Sequence, residues 1–196
     1  MLCMTMANKV TSIRFLLCIL YYVLLSLAVH KTPRDLELLT IIFILNQVIA
    51  WTDLLDGYLA RKYQEVTHFG RIADPLVDKI LVVGSFIFFL MLDPLPKIFT
   101  AWFAVVVLGR EFLVSGIRGA MEAAGIPFPA SVWGKIKTAI QNVTVGTGLG
   151  YAAWIPTSRW TELITLVLMW ATLVATVMSG VTYVMSARKF LGSERI

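Results

Sequence analysis

The chain has 196 residues, a net charge of +5 and 58% apolar residues, and its mean hydropathy is +0.79. Soluble domains contain about 45–50% apolar residues, so this composition disfavours a soluble globular protein and favours a membrane protein. The sequence contains no repeat, low-complexity tract or GxGxxG loop, and we expect no nucleic-acid partner.

Six apolar stretches are long enough to cross about 30 Å of hydrocarbon, which requires about 20 helical residues. Short connections separate them, so we predict a single all-α integral membrane domain over residues 1–196 with six transmembrane helices. Residues 1–10 alternate apolar and polar side chains, which fits either a short interfacial helix or a disordered start. The six stretches are residues 12–30, 37–58, 73–92, 97–121, 132–155 and 162–186.

The first stretch has some features of a signal peptide, because Lys9 and Arg14 precede its continuous apolar run and Ser26–Ala28 resembles a cleavage site. Its apolar run is longer than that of a usual signal peptide and the later stretches are equally apolar, so we favour an uncleaved span. Cys3 and Cys18 would lie roughly 22 Å apart on a helix. We therefore expect neither an internal disulfide nor a thiolate metal site.

The basic residues are distributed unequally between the two sides of the predicted membrane domain. With a cytoplasmic N-terminus, six spans place thirteen Lys and Arg residues inside and four outside. Basic residues accumulate on the cytoplasmic side of membrane proteins, so both termini are predicted to be cytoplasmic. A basic inner face attracts anionic lipid headgroups and phosphorylated metabolites. We expect a multi-pass protein of the bacterial inner membrane with its active site facing the cytoplasm.

Four aspartates, Asp53, Asp56, Asp74 and Asp78, lie within residues 53–79 of this apolar chain. Their spacings of three and four place each pair on one face of a helix. An acid within a helical span costs about 2.5–3.5 kcal/mol, and neighbouring carboxylates repel one another. Divalent ions that prefer oxygen ligands, such as Mg²⁺, Mn²⁺ or Ca²⁺, would neutralise them. Four carboxylates can share two such ions, an arrangement suited to a diphosphate substrate.

Small residues accompany the aspartates. Gly57, Ala60 and Gly70 leave space in which a ligand can approach the backbone, and Arg61 offers a planar fork for phosphate oxygens. The alternative is that the small residues only pack helices while the aspartates pair with nearby Arg and Lys side chains. The complete pattern, D-x-x-D-G-x-x-A-R followed by G-x-x-x-D-x-x-x-D, favours a binding site.

This pattern resembles the signature of the CDP-alcohol phosphatidyltransferase family at every specified position, including the gap of eight residues over 62–69. The resemblance implies a six-span fold, a homodimer, and two Mg²⁺ or Mn²⁺ ions per active site held by the four aspartates. It also implies that Asp78 is the general base and that CDP binds against the glycines. The residues implied to bind CDP and its diphosphate in this segment are Asp56, Gly57, Ala60, Arg61, Gly70 and Asp74.

Basic residues in the fourth and fifth stretches predict the nature of the second substrate. Arg110 and Arg118 are eight residues apart and share one helical face, and Lys135 and Lys137 begin the fifth stretch. Several cations around one cavity suggest an acceptor alcohol that carries a phosphate. The alternatives are that Arg110 pairs with Glu111 or that Lys135 and Lys137 extend to the membrane surface.

Three further motifs, R-E-x(6)-R, W-G-K-x-K-T and N-x-x-T-x-x-R, resemble those of phosphatidylglycerolphosphate synthases within this family. The resemblance implies transfer of a phosphatidyl group from CDP-diacylglycerol to sn-glycerol 3-phosphate, with Arg110, Arg118 and Lys135 binding the acceptor phosphate. The sequence departs from the usual pattern at Ala7 and at Leu54–Leu55, which affects the shape of the nucleotide pocket. The matching residues are Asn8 and Thr11, both implied to bind the nucleotide, and Arg14, Arg110, Glu111, Arg118, Trp133, Gly134, Lys135, Lys137 and Thr138.

Two alternative functions remain open from the sequence. The acceptor could differ, as in a cardiolipin synthase or a phosphatidylinositol-phosphate synthase. A protein of another class, a cation or proton transporter, would use intramembrane aspartates as an ion path. Acids clustered at one end of the spans beside basic residues favour the transferase over the transporter.

Overall fold

The computed structural model describes residues 6–31, 34–63, 68–125 and 132–193, and only the backbone of residues 6–11, 53–63, 68–75 and 189–193. The described residues form six α-helices and one short 3₁₀ helix, and they contain no β-strand, which confirms the predicted all-α class. The α-helices are α1 (Met6–His30), α2 (Leu36–Tyr63), α3 (His68–Phe89), α4 (Ala101–Ala123), α5 (Val132–Ala153) and α6 (Arg159–Ser193).

The observed helix boundaries differ from the predicted stretches by several residues, and α2 and α6 extend to Tyr63 and Ser193 rather than to residues 58 and 186. Residues 6–10 form the first turns of α1 rather than a separate interfacial helix, and residues 1–5 lie outside the described part. The third helix begins at His68 rather than at residue 73. The fourth begins at Ala101 rather than at residue 97, because a 3₁₀ turn, Leu95–Lys97, follows Pro94. Proline lacks a backbone N–H and fits the start of a helical turn, not its interior.

Two helical segments among the described residues are long and apolar enough to cross a membrane. They are Ser12–His30 in α1 and Arg159–Arg188 in α6, with mean hydropathies of 2.1 and 2.0. A shorter apolar segment, Leu36–Thr52, lies in α2. These segments agree with a membrane protein, and the count of six spans stays a prediction.

The helices pack so that one end of the bundle collects residues from five of them. α1 packs against α2 and α3, α5 packs against α2, α3 and α6, and α4 packs against α3 and α6. Successive helices run in alternating directions through short connections. The C-terminal halves of α2, α4 and α6 therefore lie beside the N-terminal halves of α3 and α5, and the aspartates of the signature belong to this end.

An aromatic cluster fixes α3 against α4 at the opposite end. The rings of Phe86, Phe89, Phe99 and Phe103 are buried, with neighbouring centroids 5.0–6.1 Å apart. Gly148 of α5 lies beside this cluster, and a Cβ atom there would come within 2.7 Å of the Phe89 ring. The missing side chain therefore permits close contact between α3 and α5.

Two tyrosines of α1 hold α3 in place. The Tyr21 hydroxyl lies 2.8 Å from Ser85 Oγ. The Tyr22 hydroxyl lies 2.6 Å from the carbonyl oxygen of Ile80 and 2.9 Å from that of Leu81. The Tyr22 contacts lie within one turn of Asp78 and the Tyr21 contact lies about two turns from it, so α1 fixes the helix that carries the predicted base.

A seam of buried polar side chains joins α5 to α6. Thr144 and Thr172 share a hydrogen bond of 2.7 Å, and Gln141 Nε2 lies 3.4 Å from Thr176 Oγ1. Hydroxyl and amide groups that bond across helices contribute to helix association where the surroundings are apolar. The seam therefore fixes the register of α5, which carries the predicted acceptor-binding lysine.

Asp35 caps the N-terminus of α2. Its Oδ1 atom accepts a hydrogen bond from the backbone N–H of Leu38 at 3.0 Å, and Lys31 Nζ lies 2.6 Å from its Oδ2 atom. The bond from the Lys31 ammonium, together with that from Leu38, lowers the pKa of Asp35 below its ordinary value. The cap satisfies a backbone donor that the first turn of a helix leaves free.

Candidate active site

A cavity of about 1080 Å³ lies between α2, α3, α4, α5 and α6. One end of its wall is charged, whereas the remainder, between α2 and α5, is mainly apolar. Four residues predicted for the site, Asp78, Arg110, Arg118 and Lys135, all line this cavity. The charged residues of the wall are Asp78, Lys79, Arg110, Glu111, Arg118, Lys135 and Lys137.

The charged end has an excess of positive charge. Five of its side chains are basic and two are acidic. In surroundings of low dielectric, such a cluster raises the local concentration of anions and strengthens each ionic contact. The charged end can therefore hold a ligand that carries more than one negative charge.

Asp78 lies on α3 and is partly exposed at the cavity wall. The neighbouring Lys79 reaches α4, where its Nζ atom donates a hydrogen bond of 2.6 Å to Ser115 Oγ. This contact ties the Asp78 segment of α3 to the helix that carries Arg110 and Arg118. The carboxylate thus faces the same space as the predicted acceptor-binding cations.

Glu111 is the centre of a buried ionic cluster between α4 and α5. Lys137 Nζ and Arg110 Nη1 both donate to Glu111 Oε1, the second at 3.2 Å. The pairing of Arg110 with Glu111 that the sequence left as an alternative is therefore present. Lys137 is buried and paired with Glu111, so the alternative in which this side chain extends to the membrane surface does not hold for Lys137.

Arg110 and Arg118 are both oriented by α6. Arg110 Nη2 donates to Ser179 Oγ, and its guanidinium lies 5.6 Å from the centre of the Tyr183 ring. Arg118 Nη2 donates to the Tyr183 hydroxyl at 3.2 Å. Tyr183 is buried and contacts both arginines, so one side chain aligns two cations along the cavity.

The two guanidinium groups keep unused hydrogen-bonding capacity. The Nε atoms of Arg110 and Arg118 are buried without a hydrogen-bond partner within the part of the chain that the structure describes. A buried donor is normally bonded, and a charged one strongly so. An anion with several oxygens, such as a phosphate, would supply these missing acceptors.

Ser179 and Tyr183 were not identified from the sequence. They lie four residues apart in a long apolar helix, a spacing that places both on one face. That spacing was the available signal, but polar residues of this kind are equally common as packing contacts between membrane helices.

The other residues predicted for the site lie outside the described side chains. Asp53, Asp56, Gly57, Ala60 and Arg61 belong to α2, Gly70 and Asp74 to α3, and Asn8 and Thr11 to α1. The described side chains contain no group of three or more His, Cys, Asp or Glu residues able to hold a metal, and of the four signature aspartates they include Asp78 alone. The metal and nucleotide sites therefore stay predictions.

The apolar part of the cavity ends near Trp154. The indole Nε1 of Trp154 donates to Thr40 Oγ1 at 3.0 Å, and its ring packs edge-on against Phe43 with centroids 4.7 Å apart. These contacts join α2 to the end of α5. The cavity thus extends along most of α5, from Lys135 to Trp154.

The chain is similar in sequence to several known proteins. A CDP-diacylglycerol–glycerol-3-phosphate 3-phosphatidyltransferase of Bacillus subtilis is 41% identical to the chain over 102 residues. These residues cover 52% of this chain and 51% of that relative. This match therefore spans about half of the relative's length. A probable phosphatidylglycerophosphate synthase of Mycobacterium tuberculosis is 36% identical over 157 residues, covering 76% of this chain and 70% of the relative.

A relative from Haemophilus influenzae, a CDP-diacylglycerol–glycerol-3-phosphate 3-phosphatidyltransferase, is 29% identical over 180 residues, which cover 91% of this chain and 90% of the relative. The family model for CDP-alcohol phosphatidyltransferases matches residues 4–178. This match includes both helices with the signature aspartates and the basic residues of α4 and α5. The chain therefore belongs to the CDP-alcohol phosphatidyltransferase family.

Proposed function

We propose that the protein is a membrane enzyme that transfers a phosphatidyl group from CDP-diacylglycerol to sn-glycerol 3-phosphate. The products are phosphatidylglycerol phosphate and CMP. The observation that carries this proposal is that Asp78 lines one cavity together with Arg110, Arg118 and Lys135. Relatives that are 29–41% identical and are named for this transferase activity support the choice of both substrates.

The charged end of the cavity suits a phosphorylated acceptor better than a neutral alcohol. Arg110 and Arg118 are held by α6 while their buried Nε atoms lack partners among the described residues. Lys135 adds a third cation at the same wall. The phosphate of glycerol 3-phosphate would accept these hydrogen bonds, and its C1 hydroxyl would then point towards Asp78.

In the proposed reaction, Asp78 acts as the general base. Its carboxylate takes the proton from the C1 hydroxyl of glycerol 3-phosphate, and the resulting oxygen attacks the lipid-side phosphorus of CDP-diacylglycerol. The bond between that phosphorus and the oxygen of CMP breaks, and CMP leaves with the electron pair. Positioning a lipid beside a water-soluble alcohol provides most of the remaining catalysis.

We propose that Asp53, Asp56, Asp74 and Asp78 hold two Mg²⁺ or Mn²⁺ ions. The ligand set consists of carboxylate oxygens, which these ions prefer, and Asp78 of the set lines the cavity. Bound ions would supply positive charge that offsets the diphosphate. The nucleotide would bind on the adjoining side, at Asn8, Thr11, Asp56, Gly57, Ala60, Arg61, Gly70 and Asp74.

We also propose that all six helices span the bacterial inner membrane, with the charged end of the cavity facing the cytoplasm, and that the protein is a homodimer. Each of the six α-helices in the described part of the chain has at least 22 residues and is thus long enough to cross the hydrocarbon core. The excess of basic residues on the inner side supports the orientation, and the family resemblance supports the dimer.

The decisive experiment measures CMP release by the purified protein from CDP-diacylglycerol and Mg²⁺ with a panel of acceptors. We expect release with glycerol 3-phosphate and none with inositol phosphate, phosphatidylglycerol or glycerol. Excess chelator should stop the release, and added Mg²⁺ or Mn²⁺ should restore it. Release driven by another member of the panel would assign a different acceptor.

A matched pair of variants tests the role of Asp78. We expect Asp78→Asn to lower the rate at least about 100-fold, the usual contribution of a general base. Asp93→Asn changes an exposed aspartate in the connection between α3 and α4 and should leave the rate unchanged. Equal rates for the Asp78 variant and the unchanged protein would refute the assignment.

A further inference from the structure

Two side-chain amides, one on α2 and one on α5, line the cavity. Gln47 belongs to α2 and Asn142 to α5, and both line the mainly apolar part. Gln47 precedes Asp53 by six residues, about 9 Å along the helix, and Asn142 follows Lys135 by seven residues, about 10 Å. Both amides therefore lie one to two helical turns beyond the charged end.

The fit of α5 around Gln47 is specific. A Cβ atom on Gly146 would come within 2.8 Å of Gln47 Nε2. The amide therefore occupies the space that the missing side chain of Gly146 leaves on α5. Any larger residue at position 146 would shift the end of this side chain, so the small residue on α5 leaves room for the amide at the cavity wall.

Gln47 and Asn142 differ from their polar neighbours in how they are bonded. Gln141 bonds Thr176 of α6, and Thr147 bonds the backbone carbonyl of Val143 in its own helix. No hydrogen bond joins the side chain of Gln47 or Asn142 to another residue in the described ranges. Gln47 is half-buried and Asn142 is exposed, so both amides are accessible in the mainly apolar part of the cavity, where a ligand that accepts hydrogen bonds would be favoured.

The ligand chemistry that fits this position is an ester carbonyl group. A carboxamide offers two N–H donors, and an ester oxygen can only accept. If the phosphate of a diacyl lipid lies at the charged end, its two ester groups follow one glycerol unit further along the cavity. The acyl chains then continue into the apolar part towards Trp154.

We propose that Gln47 and Asn142 form a binding site for the ester carbonyls of the diacylglycerol donor. The inference rests on the proposed function, because it takes the lipid-linked nucleotide as the occupant. The charged end and the amides line one continuous cavity, which favours the donor over a phospholipid of the surrounding bilayer. The protein thereby recognises the linkage between glycerol and acyl chain, in addition to the headgroup.

The test compares CDP-diacylglycerol with its diether analogue, which has the same chains but no carbonyl groups, in a detergent without esters. For the unchanged protein, we expect the diether to raise KM roughly three- to tenfold for each lost bond. Gln47→Met and Asn142→Leu should each raise KM for the diester by a similar factor and change KM for the diether little. The double variant should have the same KM for the diester and the diether.

Thr147→Val is the matched control, because Thr147 also lines the cavity but its hydroxyl is already bonded within α5. This variant should retain the full preference for the diester. The proposal is overturned if the unchanged protein has equal KM values for the diester and the diether, or if the double variant still has a lower KM for the diester. It is also overturned if the amide variants raise KM for both lipids by the same factor.

A binding measurement separates this inference from the proposed reaction. Thermal stabilisation by each lipid requires no turnover. The inference predicts greater stabilisation of the unchanged protein by the diester than by the diether, and equal stabilisation of the double variant. Absence of CMP release from both lipids would refute the proposed function, whereas equal stabilisation of the unchanged protein would refute the ester site.

Discussion

Lys137 of α5 and Glu111 of α4 form an ion pair that is buried between the two helices. Their side chains keep only 6% and 8% of their exposure, and the same Glu111 oxygen also accepts from Arg110. The pair joins the helix that carries Arg110 and Arg118 to the helix that carries Lys135. Breaking it would leave two cations without their shared anion.

We expect Glu111→Gln to destabilise the protein. Removal of one partner from a buried ion pair costs about 3–5 kcal/mol, because the other charge stays buried without compensation. Thermal unfolding in detergent would show this as a lower Tm. The glutamine keeps the size of the side chain, so the effect would report on charge.

Glu122→Gln is the control for this prediction, because Glu122 lies on the same helix but is exposed. A surface change of this kind shifts stability by less than about 0.5 kcal/mol. Similar Tm values for the two variants would show that the buried pair contributes nothing to stability.

Tyr183→Phe should weaken binding of the phosphorylated acceptor. The change removes the hydroxyl that accepts from Arg118 Nη2 but keeps the ring beside the Arg110 guanidinium. We expect KM for glycerol 3-phosphate to rise at least about tenfold, in line with the loss of one hydrogen bond to a charged group, which contributes about 1.5–3 kcal/mol. KM for CDP-diacylglycerol should stay unchanged.

Thr182→Val provides the comparison for Tyr183. Thr182 is the adjacent residue, and its hydroxyl bonds the carbonyl of Ser179 within α6. Both KM values should stay unchanged in this variant. If Tyr183→Phe raised the KM of both substrates equally, its role would be to support the helix bundle and not to orient Arg118.

The sequence predicted the helical class and the grouping of several charged residues because these depend on local spacing. Arg110 and Arg118 share a face at a spacing of eight, and the structure places both at one cavity with Asp78. The burial of Lys137 in an ion pair could not be predicted from local spacing. Whether a lysine reaches the membrane surface or pairs inside depends on a partner, here Glu111, from a helix that is distant in the sequence.

The contribution of α6 was also hidden in the sequence. Its long apolar run predicts a span. The sequence does not show that Ser179 and Tyr183 bond the arginines of α4, because this depends on how α4 packs against α6. The same holds for Gln47, which has a defined position only because Gly146 of α5 lies opposite. Contacts between helices, not periodicity within one helix, determine these details of the site.

Gly84→Ala should destabilise the protein through the contact between α1 and α3. A Cβ atom at this position would lie 2.3 Å from the Tyr22 hydroxyl oxygen. Either the helices separate or Tyr22 loses its contact with the carbonyls of Ile80 and Leu81. Overpacking of this kind typically costs about 1–3 kcal/mol, and thermal unfolding would measure it.

Two further variants distinguish this clash from a general effect of alanine. In Gly116→Ala, the new methyl group meets no atom within 4 Å, so the better helix propensity of alanine should stabilise α4 by up to about 1 kcal/mol. Combined with Tyr22→Leu, the Gly84 substitution should cost less than it does alone, because the clashing hydroxyl is gone. An equal cost in both backgrounds would mean that Tyr22 does not set the spacing between α1 and α3, and the helix that carries Asp78 would then be positioned by Tyr21 and by its contacts with α4 and α5.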